Sequence, residues 1–281
     1  YRFAVILGAL AMTIGHASMA VETPLFLYIG IGFLMVGNGL FKPNMTSIIS
    51  YAYEKHPEKK DGAYSLYYMG VNAGAFLGIM LCGYIGEKIS WSWGFGLAGI
   101  FMFFGMLQFY FTQDIFGAIG LKPSAESKQA SKAKAAAENT PPNVVRDRII
   151  AVLIFSVFTV FFWAAFEQAG GSMTIFAEKY TQRELIGTSA SVFKIADALL
   201  TIIPLLVITY VLIKLFKQTF KKYATGNLIL ATSFVIIWGI VLWKVGREYG
   251  TTGTEVPATW FGILNSLFIV CFAPVFSKWW E

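Results

Sequence analysis

Residues 37–78 read GNGLFKPNMTSIISYAYEKHPEKKDGAYSLYYMGVNAGAFLG, and this stretch decides the fold class. Two apolar segments flank a short charged loop, and each contains a polar side chain that hydrocarbon tolerates poorly. The first is Lys42, followed at once by Pro43 and Asn44, and the second is Asn72. An ionisable residue within a membrane span indicates a functional site, because it is costly unless it faces a partner or a wet cavity.

The composition predicts an all-α, polytopic membrane protein. Of the 281 residues, 56% are hydrophobic and only 14% are charged, against about 25% charged residues in soluble domains. The mean hydropathy is +0.61, and the apolar runs reach about 20 residues, enough to cross the hydrocarbon core. The two cysteines have neither the spacing of a disulfide framework nor that of a metal site. We expect no metal or organic cofactor.

The apolar runs predict eight membrane spans, separated by polar loops. They lie at about 3–20, 25–51, 63–86, 93–113, 149–176, 192–213, 225–243 and 259–280. The low-complexity stretch at 114–148 is rich in Ala, Lys and Ser, which predicts a mobile cytoplasmic linker. Since the chain opens on the edge of a span without an initiator Met, we expect it to be a fragment.

The basic residues predict the orientation of the spans. Loops on one predicted side hold 15 of the 22 Lys and Arg residues, and the opposite loops hold six, with Lys244 among them. The side with the excess is predicted to be cytoplasmic. The basic residues thus set orientation, and we expect no nucleic-acid partner.

Small residues recur every four positions in the span at 63–86, at Gly70, Gly74 and Gly78. This spacing predicts a groove where another helix approaches closely. Asn72 lies about 200° from Gly70 around the helix, next to Tyr68 and Phe76 on the other face. We therefore expect the helix to pack through its glycines and to present Asn72 to a cavity.

A third intramembrane polar residue lies in the span at 149–176, which contains FFWAAFEQAGGSM. Glu167 lies near one helical face with Trp163. Two interpretations stay open for this carboxyl: a role in a transport cavity, or a structural ion pair that docks two helices. Near the outer end of the span at 192–213, Lys194 and Asp197 are expected to be interfacial.

Four segments of the chain resemble the proton-dependent oligopeptide transporters, a branch of the major facilitator superfamily. GNGLFKPN and YYMGVNAGAF are similar to two motifs of that family, with Tyr67 where Phe is commoner and Val71 where Ile is commoner. FFWAAFEQAGGSM resembles its seventh helix, and WFGILNSLFIVCFAPVF resembles its eighth, with Ser266 where Pro is usual. The family's first-helix ExxERF-type motif is absent from this chain.

The resemblance implies a partial major facilitator fold covering about family helices 3 to 8. Residues 1–113 would form part of the N-terminal bundle and 114–148 the linker. Residues 149–281 would form part of the C-terminal bundle, with an inserted helix pair at about 192–243. The inserted pair crosses the membrane twice, so it leaves the topology unchanged.

The resemblance also implies a function: proton-coupled symport of di- and tripeptides by alternating access, with protons as the coupling ion. Glu167 would take part in proton coupling, and Lys42, Tyr68, Asn72, Trp163 and Asn265 would bind substrate. We expect a monomer in the bilayer of a plasma membrane, in a bacterium. A carrier for nitrate or another small anion is the first alternative, and a membrane receptor or an enzyme without transport is the second.

Overall fold

Apolar runs long enough to cross a bilayer form long helices, since a helix satisfies its own backbone hydrogen bonds in hydrocarbon. The computed structural model describes residues 1–122 and 141–280. In chain order, the elements are α1 (Arg2–Met19), α2 (Pro24–Ala52), α3 (Lys60–Gly78), α4 (Tyr84–Lys88), α5 (Trp91–Thr112), α6 (Pro142–Phe166), α7 (Ser172–Tyr180), β1 (Glu184–Leu185), α8 (Gly187–Thr219), α9 (Ala224–Tyr249), β2 (Thr254–Glu255) and α10 (Ile263–Trp280). A π-helical turn, Ile79–Gly83, joins α3 to α4, and 3-10 turns occupy Pro57–Lys59, Gln113–Phe116, Glu167–Ala169 and Ala258–Gly262.

The helices confirm the predicted fold class, an all-α protein that crosses the membrane several times. Seven helical segments are long and apolar enough to span a bilayer, and they match the first seven predicted spans. The described part of the eighth is a shorter apolar helix, Ala258–Phe272. The predicted linker at 114–148 falls largely on residues 123–140, which lie outside the described residues. Helix α6 already begins at Pro142, where proline suits a first helical position.

The described residues divide into two compact units, which are treated separately below. One unit comprises Tyr1–Gly120 and Thr181–Glu281, and the other comprises Leu121–Tyr180. The first unit contains α1 to α5 together with α8 to α10.

Close approach through small residues occurs between α1 and α2. A Cβ atom at Gly37 would lie 2.7 Å from the carbonyl oxygen of Gly8 and 2.9 Å from the backbone nitrogen of Met12. One at Gly15 would lie 2.9 Å from the carbonyl oxygen of Gly30. The two backbones touch at these glycines, which is how membrane helices gain packing area without large side chains.

The expected packing of α3 is wrong. Gly70, Gly74 and Gly78 have open space around them, since no described atom would lie within 4 Å of a Cβ at any of the three. The opposite face is buried instead, with Asn72 9% exposed and Phe76 2% exposed. The physical reason is that large apolar side chains follow Asn72 on its own face, and they form a common core with α8, α9 and α10.

The inserted helix pair is confirmed, as the antiparallel hairpin α8–α9. Strands β1 and β2 pair at its two ends, with Glu184 opposite Glu255 and Leu185 opposite Thr254. The hairpin packs on α3 through one apolar cluster. Its buried members are Phe76, Leu77, Met80, Leu81, Leu205, Val241, Trp260 and Ile263. Helix α9 also packs against α5, which belongs to the same unit.

Candidate functional site

Lys42 lies in the interior of α2 and is exposed to the surroundings of the helix. The helix continues through Pro43, and the Thr46 hydroxyl donates to the carbonyl of Pro43 at 2.9 Å and to that of Lys42 at 3.3 Å. Within residues 1–122 and 141–280, no carboxylate lies within ion-pair distance of Lys42.

Tyr68 and Asn72 are one helical turn apart on α3. The Asn72 side-chain amide donates to the carbonyl of Tyr68 at 2.9 Å. The Tyr68 ring is 54% exposed, whereas Asn72 is 9% exposed because it lies above the buried Phe76. Tyr68 is thus open to a ligand, while Asn72 lies at the edge of the packed face.

Asn265 lies in the first turn of α10, the helix that packs against α3. Its side chain is exposed, and the adjacent Ser266 is buried at 7% exposure. The structure therefore places four of the six predicted residues on three helices, α2, α3 and α10. Helix α3 contacts the other two.

The other two predicted residues, Trp163 and Glu167, belong to the unit of residues 121–180. The Trp163 ring contacts Phe162 and Phe166, with ring centroids 5.5 Å apart in both pairs. Glu167 directly follows α6, where the α-helix gives way to a 3-10 turn, and its carbonyl accepts from the Gly170 amide at 3.1 Å. Its side chain is exposed.

Sequence reasoning missed a group of charged residues at the predicted outer side, here called the outer ion-pair cluster: Glu87, Lys88, Arg183 and Glu255. Lys88 Nζ lies 2.6 Å from Glu255 Oε2, and Arg183 Nη2 lies 2.8 Å from Glu255 Oε1. Arg183 Nη1 is also 3.7 Å from Glu87 Oε2. The available signal was the presence of acidic residues beside basic ones in the loops of the predicted outer side.

The cluster fixes the entry to α10. The Glu87 carboxylate accepts from the backbone amides of Ala258 and Thr259, at 2.8 and 2.9 Å, at the start of the 3-10 turn. The hydrogen bond from Lys88 is the main reason why the pKa of Glu255 lies below its ordinary value, and partial burial opposes it. The charges of Lys88 and Arg183 lower that pKa further.

Asp197 and Lys194, which the sequence predicted to be interfacial, both have side chains that are buried within the protein. Asp197 forms an ion pair with Lys244 across the hairpin, and Lys194 donates to the Thr251 carbonyl at 2.6 Å. Lys244, which the sequence predicted to lie in an outer loop, lies inside α9 and is 0% exposed. The reason is that two helices of one hairpin face each other, so Asp197 on α8 finds its counter-ion, Lys244, on α9.

Comparison with known proteins places this geometry in context. The family model PTR2, described as the POT family, matches residues 2–144. The uncharacterized transporter YclF of Bacillus subtilis (strain 168) is 27% identical over 289 residues, covering 97% of this chain and 51% of the relative. The peptide transporter YePEPT of Yersinia enterocolitica is 27% identical over 291 residues, covering 97% and 52%. The chain thus spans about half the length of the curated relatives it matches.

Solved structures are also similar to the chain. A crystal structure of a peptide transporter POT in complex with sulfate has 25% sequence identity and a TM-score of 0.49, covering 99% of this chain and 54% of the other. A crystal structure of a POT family transporter in complex with a thioalcohol-conjugated peptide has 22% identity and the same TM-score of 0.49.

Proposed function

The chain belongs to the POT family, and from this premise we propose that it acts in proton-coupled symport of di- and tripeptides by alternating access. The observation that carries the proposal is the family match over residues 2–144. This range contains Lys42, Tyr68 and Asn72, which the sequence singled out as polar or aromatic groups in membrane spans. The bacterial relatives support a plasma membrane location. We propose that the protein works as a monomer.

Lys42 would bind the carboxylate at the C-terminus of the peptide. Its exposure in the middle of a membrane span supports this role, because an ammonium in that position needs an anionic or aqueous partner. The open Tyr68 ring lies on the neighbouring helix α3 and would contact a peptide side chain. A charge-assisted hydrogen bond to the carboxylate would fix the orientation of the peptide.

Asn72 and Asn265 would bind the amino terminus or the backbone of the peptide. The packing of α3 on α10 supports this pairing, since it holds the two amides on adjacent helices. Each amide can both donate and accept hydrogen bonds, as peptide recognition requires. Trp163 would line a side-chain pocket.

Glu167 would carry the coupling proton, and no cofactor beyond protons is proposed. Its position where α6 ends supports the role, because a break in helical structure lets a side chain move with the backbone. If the cavity changes the distance between this carboxylate and a cation as it opens, proton binding is coupled to conformation.

The test is uptake of a labelled dipeptide by the full-length protein in liposomes, with and without an inward proton gradient. Accumulation that requires the gradient is the expected result. Peptide movement of equal extent with and without the gradient would overturn the proton coupling. If correctly folded protein carries no peptide, the same vesicles are assayed with nitrate, and uptake of nitrate would establish the anion carrier instead.

A further inference from the structure

The hairpin α8–α9 contains a buried ion pair that the substrate site does not use. Lys244 Nζ donates to Asp197 Oδ1, and the two side chains are 0% and 3% exposed. The ammonium also donates to the Thr201 hydroxyl at 3.2 Å, and that hydroxyl donates to the Asp197 carbonyl at 2.8 Å. Asp197 lies ten residues into α8, roughly 15 Å from the predicted outer end of the helix.

The cation of this pair contacts two aromatic rings outside the hairpin. Lys244 Nζ lies 4.4 Å from the centroid of the Trp260 ring and 5.3 Å from that of Tyr84. Tyr84 begins α4, and Trp260 lies in the turn that leads into α10. The three elements therefore meet at one charged group, and its position depends on all of them.

Burial against these elements does not by itself require a charge pair. A buried ion pair is commonly no more stable than apolar residues of similar volume, because both charges must be desolvated. Intramembrane acidic residues paired with basic ones recur on proton pathways. The charge pair at this position is therefore better explained by a functional role than by a contribution to stability.

Other charged groups lie near this pair and contribute to its electrostatic surroundings. Glu248 accepts from the Tyr84 hydroxyl at 2.5 Å and from the Thr254 hydroxyl at 2.7 Å. Lys194 is buried on α8, where it donates to Thr251. Arg247 donates to the Lys88 carbonyl at 3.3 Å. The opposite charges of Asp197 and Lys244 thus neutralise each other at a site that bulk water does not reach in this conformation.

We propose that Asp197 is a second proton-binding carboxyl of the transport cycle, and that its protonation releases the contact of Lys244 with Tyr84 and Trp260. The proposal rests on the proton coupling proposed above. When the site opens transiently to the outer solution, one proton adds to a carboxylate oxygen of Asp197, and no bond between heavy atoms changes. The buried ammonium of Lys244 then lacks a counter-ion. A buried charge without a counter-ion is energetically unfavourable until water reaches it. Water reaches it when α4 and the turn at Ala258–Gly262 separate from the hairpin.

The first experiment needs no variant. Hydrogen–deuterium exchange of the full-length protein in nanodiscs is measured between about pH 7.5 and about pH 5.5, with intrinsic exchange rates corrected for pH. We expect faster exchange around Tyr84 and Trp260 at the lower pH, with little change between α1 and α2. Corrected rates that stay constant around both aromatic residues would overturn the proposal.

The second experiment removes both charges together, in the double variant Asp197→Asn, Lys244→Met, so that no single charge is left buried. We expect dipeptide counterflow to persist, the pH-dependent exchange to disappear, and the external pH of half-maximal uptake to shift by at least about one unit. A double variant with the wild-type pH profile would show that the pair is only structural. Lys194→Gln is the matched control, since it removes a buried lysine that has a carbonyl and a hydroxyl of Thr251 as its partners.

The two proposals fail in different ways. If the wild-type protein shows no gradient-driven uptake, the proton-coupled transport is wrong, and the exchange experiment still tests proton binding at Asp197. If gradient-driven uptake is present and both measurements on the pair are independent of pH, only the second proton site is wrong.

Discussion

Arg183 Nη2 lies 2.8 Å from Glu255 Oε1, which joins the residue just before β1 to a residue of β2. The same arginine donates through Nη1 to the Val256 carbonyl at 2.8 Å. These two contacts therefore tie the segment that precedes α8 to the segment that follows α9. Lys88, the last residue of α4, forms an ion pair with the same Glu255 carboxylate. This ion pair also holds the base of the hairpin against the end of α4.

Glu255→Gln tests this closure through its pH dependence. The hydrogen bond from Lys88 keeps the pKa of Glu255 below its ordinary value. A lowered pKa in the folded state means that the carboxylate stabilises the fold fully above the unfolded-state pKa, about 4.3, and loses this contribution as the pH falls through the folded-state pKa. The wild-type melting temperature should therefore drop more steeply than that of the variant below about pH 4.3.

The Glu255→Gln substitution should lower the free energy of unfolding at neutral pH by only about 1 kcal/mol or less, since the Glu255 side chain is 40% exposed and solvent screens it. Glu184→Gln is the matched control, because Glu184 faces Glu255 in the strand pair and has no ion-pair partner among the described residues. An identical acid response in wild type and Glu255→Gln would contradict the prediction.

Gly37→Ala should weaken the contact between α1 and α2. The added methyl group would lie 2.7 Å from the Gly8 carbonyl and 2.9 Å from the Met12 nitrogen, both backbone atoms that cannot move aside cheaply. We expect a loss of about 1–3 kcal/mol, as in other overpacked contacts, measured by thermal unfolding in detergent. Gly32→Ala on the same helix is the control. An added Cβ atom at Gly32 would meet no described atom within 4 Å beyond its own helix backbone. The variant should therefore be neutral or slightly stabilised.

Lys42→Ala should weaken peptide binding only when the peptide carries a free C-terminal carboxylate. A hydrogen bond to a charged group contributes about 1.5–3 kcal/mol, so the concentration for half-maximal uptake should rise about tenfold or more. The same dipeptide with an amidated C-terminus should bind wild type and variant alike. An equal loss for both peptides would show that Lys42 supports the fold or the cavity, and does not bind the carboxylate.

Glu167→Gln should abolish gradient-driven accumulation and leave exchange of labelled for unlabelled dipeptide largely intact. The amide keeps the shape and the hydrogen bonding of the protonated carboxyl, and it cannot release a proton. Accumulation and counterflow in liposomes measure the two activities separately. Glu178→Gln, on the neighbouring helix α7, is the control and should retain both. Loss of both activities in Glu167→Gln would count against a coupling role.

The sequence predicted the helical spans well because the constraint behind them is strong. A run of about 20 apolar residues has no stable alternative to a helix in hydrocarbon. The two helices of the hairpin were predicted for the same reason, and the resemblance to the family implied that they are inserted. Motif resemblance then pointed to Lys42, Asn72 and Glu167, and the assignment of their roles stays a prediction.

The pairing of charges and the choice of packed face could not be read from the sequence. Asp197 and Lys244 are 47 residues apart, and each alone looks like a residue near a helix end. The glycines of α3 predicted a packed face, yet the large side chains of Phe76 and Met80 determine which face is buried. Small residues allow close approach, but the neighbouring helix decides whether it occurs.

The pairing of Leu185 with Thr254 has a consequence for how this architecture could arise. The strands hold the two ends of the hairpin side by side, so the chain enters and leaves it at almost the same point. Replacing the hairpin with a tight turn between β1 and β2 would leave Arg183 and Glu255 in register. We therefore expect that the hairpin, strands included, can be grafted into a related transporter as one piece, carrying its buried charge pair along.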